Sequence, residues 1–267
     1  MCLSIQSAPS WGQSPDSVVD KRFRSTDKAV EALITKKQIA GAVVLIAKEN
    51  QILHFKAYGQ RDVAEKSPMQ TDSIFRIYSM TKPVTTVAAM MLVEDGKIAL
   101  DDPVEMHLSE LKDVSVQKGR KHVVPKRKMT IRDLMRHTSG MTYGFFSDSS
   151  VDRLYMKSHP LFSTDNAEFV AKLSRLPLLH HPGEKWHYSV ATDVLGAVVE
   201  RVSGETLGAF FEKNIFAPLG MNDTGFHVPP DKVNRFASNY GPNLAINDKY
   251  SQSRYLSEES MQSGGGG

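Results

Sequence analysis

Ser79 and Lys82 stand three residues apart in FRIYSMTKPVTTVAAMMLVEDG, residues 75–96. A hydroxyl is a weak nucleophile, and an adjacent neutral amine is one known way to activate it. At that spacing on a helix both side chains project from the same side. The pattern alone decides little, because Ser25/Lys28, Ser109/Lys112 and Ser115/Lys118 repeat it. Context separates the four. Ser25 opens a polar helical stretch and reads as an N-cap. Ser109 and Ser115 lie in LSELKDVSVQKG, a polar region with no apolar wall around a lysine.

Ser79 has the largely apolar SIFRIY before it and VTTVAAMMLV after it, a helix that reads as buried on most faces. Pro83 excludes regular helix running back through Ser79, since its ring would meet the carbonyl four residues earlier. The helix therefore starts at or just past Ser79. Its free N–H groups and positive dipole end favour negative charge near that hydroxyl. Two readings stand at this point: a catalytic pair, or a helix start with a buried N-cap.

A serine hydrolase also needs a group that carries the proton to the leaving group. Tyr188, in HHPGEKWHYSVATDVLGAVVERVSG, follows a Pro182-Gly183 turn and stands at the mouth of an apolar helix. It is either that acid/base or a core or rim aromatic. Trp186 beside it lines a substrate mouth or packs. His137, in RHTSG, reads as closing a helix before Gly140, and no serine has the Gly-x-Ser-x-Gly spacing of a nucleophile elbow. His180, His181 and His187 lack zinc-site spacing.

The elements that must carry these residues are legible in outline. Apolar positions at helical spacing predict a helix over 15–39, ended by Gly41. GAVVLIAKENQILHFKAYG at 41–59 predicts a hairpin. Further helices are predicted near 80–95, 130–137, 165–175, 189–202 and 205–215, punctuated by glycine and proline. Residues 1–78 then hold the N-terminal helix and first strands, and 79–267 a mainly helical region that carries the site.

With these pieces in place, FRIYSMTKPVTTVAAMMLVEDGKIALDDPV, MTIRDLMRHTSGMTYG, PGEKWHYSVATDVLGAVVERVSG and IFAPLGMNDTGF resemble, in order and spacing, the serine β-lactamase-like hydrolases. That superfamily includes class C β-lactamases, D-alanyl-D-alanine carboxypeptidases and family VIII esterases, and the resemblance runs from about residue 40 to 267. It implies an α+β, β-lactamase/transpeptidase-like fold, with an antiparallel sheet flanked by helices beside a helical region. It implies Ser79 as nucleophile, Lys82 as its activating base and Tyr188 as acid/base. An ester or amide carbonyl would acylate Ser79, and water or another alcohol would resolve the acyl-enzyme. No metal and no organic cofactor is implied.

Three departures refine this. The β-lactamase and peptidase branch has an asparagine two residues after the tyrosine, where this chain has Val190. Valine cannot hydrogen-bond a substrate amide, and the esterase branch tolerates the change. SDS at 147–149 resembles another branch's element but lies in a polar loop and is read as chance. The family's closing strand, with a Lys-Thr-Gly-like or His-x-Gly-like element, has no counterpart after Tyr188; DTG at 223–225 carries an acid and belongs to a turn. That strand supplies a second oxyanion N–H beside that of Ser79, and losing one such donor costs roughly 10²–10³ in rate. The terminal SGGGG is a linker or an interrupted native turn. The second reading is preferred, with the sheet incomplete and the chain a fragment of a longer enzyme.

Composition narrows the partners. The net charge of +3 is too weak to imply nucleic acid. The basic cluster KGRKHVVPKRK at 118–128 lacks interleaved aromatics and reads as a solvated loop rather than a polyanion patch. The single cysteine, Cys2, allows no internal disulfide, and the N-terminus lacks a signal-peptide pattern. No apolar tract approaches the roughly 20 residues of a membrane span. The expectation is a cytoplasmic esterase acting on small esters. A β-lactamase, a D-alanyl-D-alanine peptidase, an acyltransferase and a non-catalytic binding protein on the same scaffold are the competitors.

Overall fold

The computed structural model describes residues 21–257 and 261–266. Cys2 and positions 15–20 of the first expected helix lie outside them. Two compact units form. One takes the chain up to Arg76 together with Val228–Leu256; the other takes Ile77–His227 and the stretch from Ser257 onward.

In the first unit, α1 (Arg24–Thr35) precedes the antiparallel pair β1 (Gly41–Lys48) and β2 (Gln51–Asp62). Lys48 opposes Gln51 across Glu49-Asn50, whose φ angles of 50° and 61° are those of a primed two-residue turn. Such turns match the right-handed twist of paired strands. A short β3 (Ser67–Pro68) extends the sheet to the order β1-β2-β3. Buried His54 and Tyr58 on β2 are 3.0 Å apart, and the Tyr58 hydroxyl donates to Asp27 of α1, tying helix to sheet. Arg76 lies 4.0 Å over the Phe236 ring and donates from Nε to Asp248 Oδ2 at 2.6 Å.

In the second unit, α2 (Thr81–Glu94) begins two residues after Ser79, with Pro83 in its first turn as the sequence requires. Its burial differs from expectation. Thr81, Thr85, Ala88, Ala89 and Leu92 form one buried face, while Val87 is exposed. The basic cluster also departs from a plain loop. β4 (Val116–Lys118) and β5 (Lys121–Val123) form a hairpin at its start, because alternating residues can pair across the Gly119-Arg120 turn. Then come α3 (Ile131–Met135), α4 (Ser150–Ser158), α5 (Asn166–Leu173) and α6 (Ala191–Ser203). The sequence pattern signals no helix at α4, which is short and polar; the Ser149 cap, accepting from the Asp152 N–H at 3.0 Å, sets its start. Among the described residues no helix is long and apolar enough to cross a membrane.

The core of this unit surrounds α6, which is buried at nine consecutive positions from Ala191 to Val199. Leu92, Leu134, Phe169 and Phe211 pack in the same cluster. Ser263–Gly266 belongs to it too. A Cβ on Gly264 would meet Thr192 O at 2.7 Å and Gly196 Cα at 3.1 Å, so these backbones touch with no room for a side chain. Gly264→Ala and Gly196→Ala are each expected to lower stability by about 1–3 kcal/mol through overpacking. Unchanged thermal melts would contradict this packing.

Candidate active site

Tyr78 has φ of +43°, a conformation rare for a bulky residue, immediately before Ser79. The chain then makes a 3-10 turn over Tyr78–Met80 and enters α2. Proline cannot donate within a helix, but at a first-turn position its missing N–H costs nothing. The result is one tight turn between Ser79 and Lys82. Lys82 Nζ lies 3.2 Å from Ser79 Oγ.

Tyr188 reaches the same oxygen from far along the chain, its hydroxyl donating to Ser79 Oγ at 2.8 Å across 109 residues. All three residues named from the sequence therefore meet at one serine oxygen. Lys82 Nζ also lies 4.6 Å over the Tyr188 ring and 5.5 Å from that of Tyr143, and donates to the Gly265 carbonyl. Aromatic faces carry negative charge and attract a cation placed this way.

What delivers Tyr188 is a relay of hydrogen bonds. Asp133, fully buried on α3, caps its own helix by accepting from the Thr130 N–H at 3.0 Å. It also receives Arg127 Nη2 at 2.8 Å and the Thr138 hydroxyl at 2.8 Å. Burial alone would raise this carboxyl; the Arg127, Thr130 and Thr138 donors outweigh it and hold it at about 2. Thr138 directly follows His137, which takes φ of +55°. There the His137 carbonyl accepts from His187 N at 2.8 Å, and its Nδ1 from Ser189 N at 3.3 Å. Those two bonds bracket Tyr188. The His137 ring packs against it, 4.8 Å between centroids.

The rim is aromatic. Tyr143 stacks on Phe145 at 5.4 Å, and Trp186 on Tyr188 at 6.5 Å. Phe145 and Trp186 are 62% and 64% exposed, so Trp186 stays at the surface and does not pack in the core. Val190 is fully buried and presents no polar group. SDS at 147–149 is structural: Ser149 donates to Asp152 Oδ2 at 2.7 Å, and Thr142 to Oδ1 at 2.6 Å. Ser25 and Ser109 are exposed, and Ser115 pairs with His122 Nδ1 at 2.9 Å. Two neighbours of Lys82 escaped the sequence reading. Tyr143 in MTYGFF carried no signal beyond its type, whereas Asp193 stands out as a lone charge inside VATDVLGAVV.

The Beta-lactamase family model matches residues 26–267. The chain belongs to that family. Esterase EstB of Burkholderia gladioli is 37% identical over 203 residues, which is 75% of this chain and 50% of EstB. Among solved structures, EstCE1, described as a hydrolase with promiscuous acyltransferase activity, aligns with a TM-score of 0.78 at 30% identity, over 91% of this chain and 68% of that one. Simvastatin synthase (LovD) from Aspergillus terreus aligns at 0.77 and 28% identity, over 93% and 65%. The fold is thus the β-lactamase/transpeptidase-like one. The chain spans about half the length of curated relatives such as EstB.

Burial, with Lys82 and His187 near, pushes the His137 imidazole down to about 4. Burial lowers His180 and His187 as well. The unfolded chain near 6.5 binds protons that the folded one refuses, so stability present above that value is lost as pH falls from about 6.5 toward 4. His137→Asn, a residue that tolerates left-handed backbone, should give a shallower fall of melting temperature across that window. A slope equal to wild type would contradict the buried neutral imidazole.

Proposed function

We propose that this protein is a carboxylesterase-like serine hydrolase that cleaves small esters through an acyl-enzyme on Ser79. The observation that carries the reading is the meeting of the Lys82 amine and the Tyr188 phenol at the Ser79 hydroxyl oxygen. In the reactive form the hydroxyl donates to a neutral Lys82 amine, which takes its proton as Oγ bonds to the ester carbonyl carbon. The Ser79 N–H, as the family resemblance implies, faces the carbonyl oxygen as charge develops there. When the C–O bond breaks, Tyr188 passes a proton to the departing alcohol and recovers one from Lys82. Water, deprotonated by the same pair, then attacks the acyl carbon, releases the acid and restores Ser79.

Esters are favoured over amides by Val190, whose buried hydrocarbon offers a substrate amide no partner. Acyl transfer to an alcohol is the second reading. It differs only in which hydroxyl resolves the acyl-enzyme, and the description of EstCE1 supports it.

Fluorophosphonate labelling and turnover of p-nitrophenyl acetate test the proposal. Ser79→Ala should lose both, and Tyr188→Phe should slow turnover about 10²–10⁴-fold. Labelling that persists in Ser79→Ala would remove the nucleophile from its role. The exposed rim adds a specificity test, since aromatic contacts contribute about 0.5–1.5 kcal/mol. Trp186→Ala should cut the preference for p-nitrophenyl phenylacetate over the acetate by about two- to tenfold. An unchanged ratio of kcat/KM values would show that the rim does not touch the acyl group.

A further inference from the structure

Asp193 is the sole ionisable residue in the buried run Ala191–Val199 of α6, and the acylation step gives it no role. Its carboxylate is fully engaged. Oδ1 accepts from the Ser263 hydroxyl and from Gly265 N at 3.1 Å; Oδ2 accepts from the Tyr143 hydroxyl at 3.3 Å. A buried carboxylate with several donors is costly to disturb, because removing it strands them all. Burial raises the Asp193 carboxyl, with Ser263, the Lys82 charge, Gly265 and Tyr143 pulling the other way.

The turn that Asp193 grips faces the lysine. Gly264 O accepts from Thr85 Oγ1 at 2.6 Å, and Gly265 O accepts from Lys82 Nζ. Only glycine fits at 265, where a Cβ would lie 2.3 Å from Asp193 Oδ2. In the neutral form that the proposed reaction needs, the Lys82 amine has two N–H groups and one lone pair. With one N–H given to the Gly265 carbonyl, the amine cannot spin freely, and its lone pair is held for the Ser79 hydroxyl.

We propose that Asp193 is a positioning residue for the reaction at Ser79: it fixes the Ser263–Gly265 turn, whose Gly265 carbonyl aims the Lys82 amine at the serine. This rests on the esterase reading above. Asp193 touches no substrate and acts through backbone, so its effect belongs to the rate of acylation and not to substrate binding.

The test is fluorophosphonate labelling of the chain, resolved into a limiting rate constant and a half-saturating probe concentration. It is run at a temperature where circular dichroism shows every variant folded. Asp193→Ala should lower the limiting rate on the order of 10²-fold, the scale of a misplaced catalytic group. The half-saturating concentration should stay near wild type. Asp193→Asn, whose amide oxygen still accepts from Ser263 and Gly265, should restore most of the rate. A residue that only stabilised the fold would leave the rate per folded molecule unchanged. Wild-type labelling with an equal limiting rate in Asp193→Ala overturns the inference while leaving the esterase reading intact. Wild type that takes no label overturns both. Should Asp193→Ala fail to fold, Ser263→Ala loosens the same turn; a slower limiting rate there supports the inference and a wild-type rate overturns it.

Discussion

A lysine three residues beyond a serine reaches it only if the backbone between them closes one helical turn. That constraint governs the molecule around Ser79. Tyr78 spends a left-handed φ of +43° to bring the chain in, and Pro83 stops regular helix from running back through the serine. α2 then continues with threonine and alanine on its buried face. These side chains are short enough for α6 and the Ser263–Gly266 turn to approach closely, so a carbonyl stands beside Lys82. The pair is built from local sequence, but its surroundings come from residues up to 183 positions away.

Tyr188 depends on a different kind of support. No helix holds it; it sits just ahead of α6 on an irregular segment bonded along the His137–Gly140 turn. Irregular backbone keeps a fixed shape when its polar groups are satisfied from elsewhere. Here Asp133 supplies that fixation, gathering Arg127, Thr130 and Thr138 around one buried carboxylate. Asp193 does the same for the glycine turn on the other side of Lys82. Two buried acids, each fully partnered, thus frame the more exposed Ser79, Lys82 and Tyr188. The two carboxylates are buried, while Phe145 and Trp186 meet solvent.

The sequence carried the parts that obey short-range rules. The Asn50 turn and its flanking strands, the start of α2 at the Pro83 signal and the run of apolar residues in α6 all follow from spacing and residue type. The parts that escaped obey long-range ones. α4 is nine residues of mixed polarity whose buried Tyr155 and Val151 make sense only against the rest of the core. The one-sided burial of α2 reflects which face α6 and the glycine turn cover, and no local pattern encodes that. Arg127, read within a solvated basic stretch, stays exposed, yet its guanidinium pairs with a buried acid six residues on. Tyr143 joins Lys82 through tertiary folding alone. The lone aspartate in the apolar run around position 193 was the one visible clue, since a charge buried among hydrocarbon must be serving partners.

The proposed reaction is covalent: an ester carbonyl transfers its acyl group to the Ser79 oxygen. The most direct measurement is mass spectrometry of the chain, acid-quenched within seconds of mixing with excess p-nitrophenyl ester and mapped by proteolysis. One acyl mass increment is expected, confined to the peptide containing Ser79 and cleared as substrate is exhausted. Turnover with no adduct there, or with the acyl group on another residue, would contradict it.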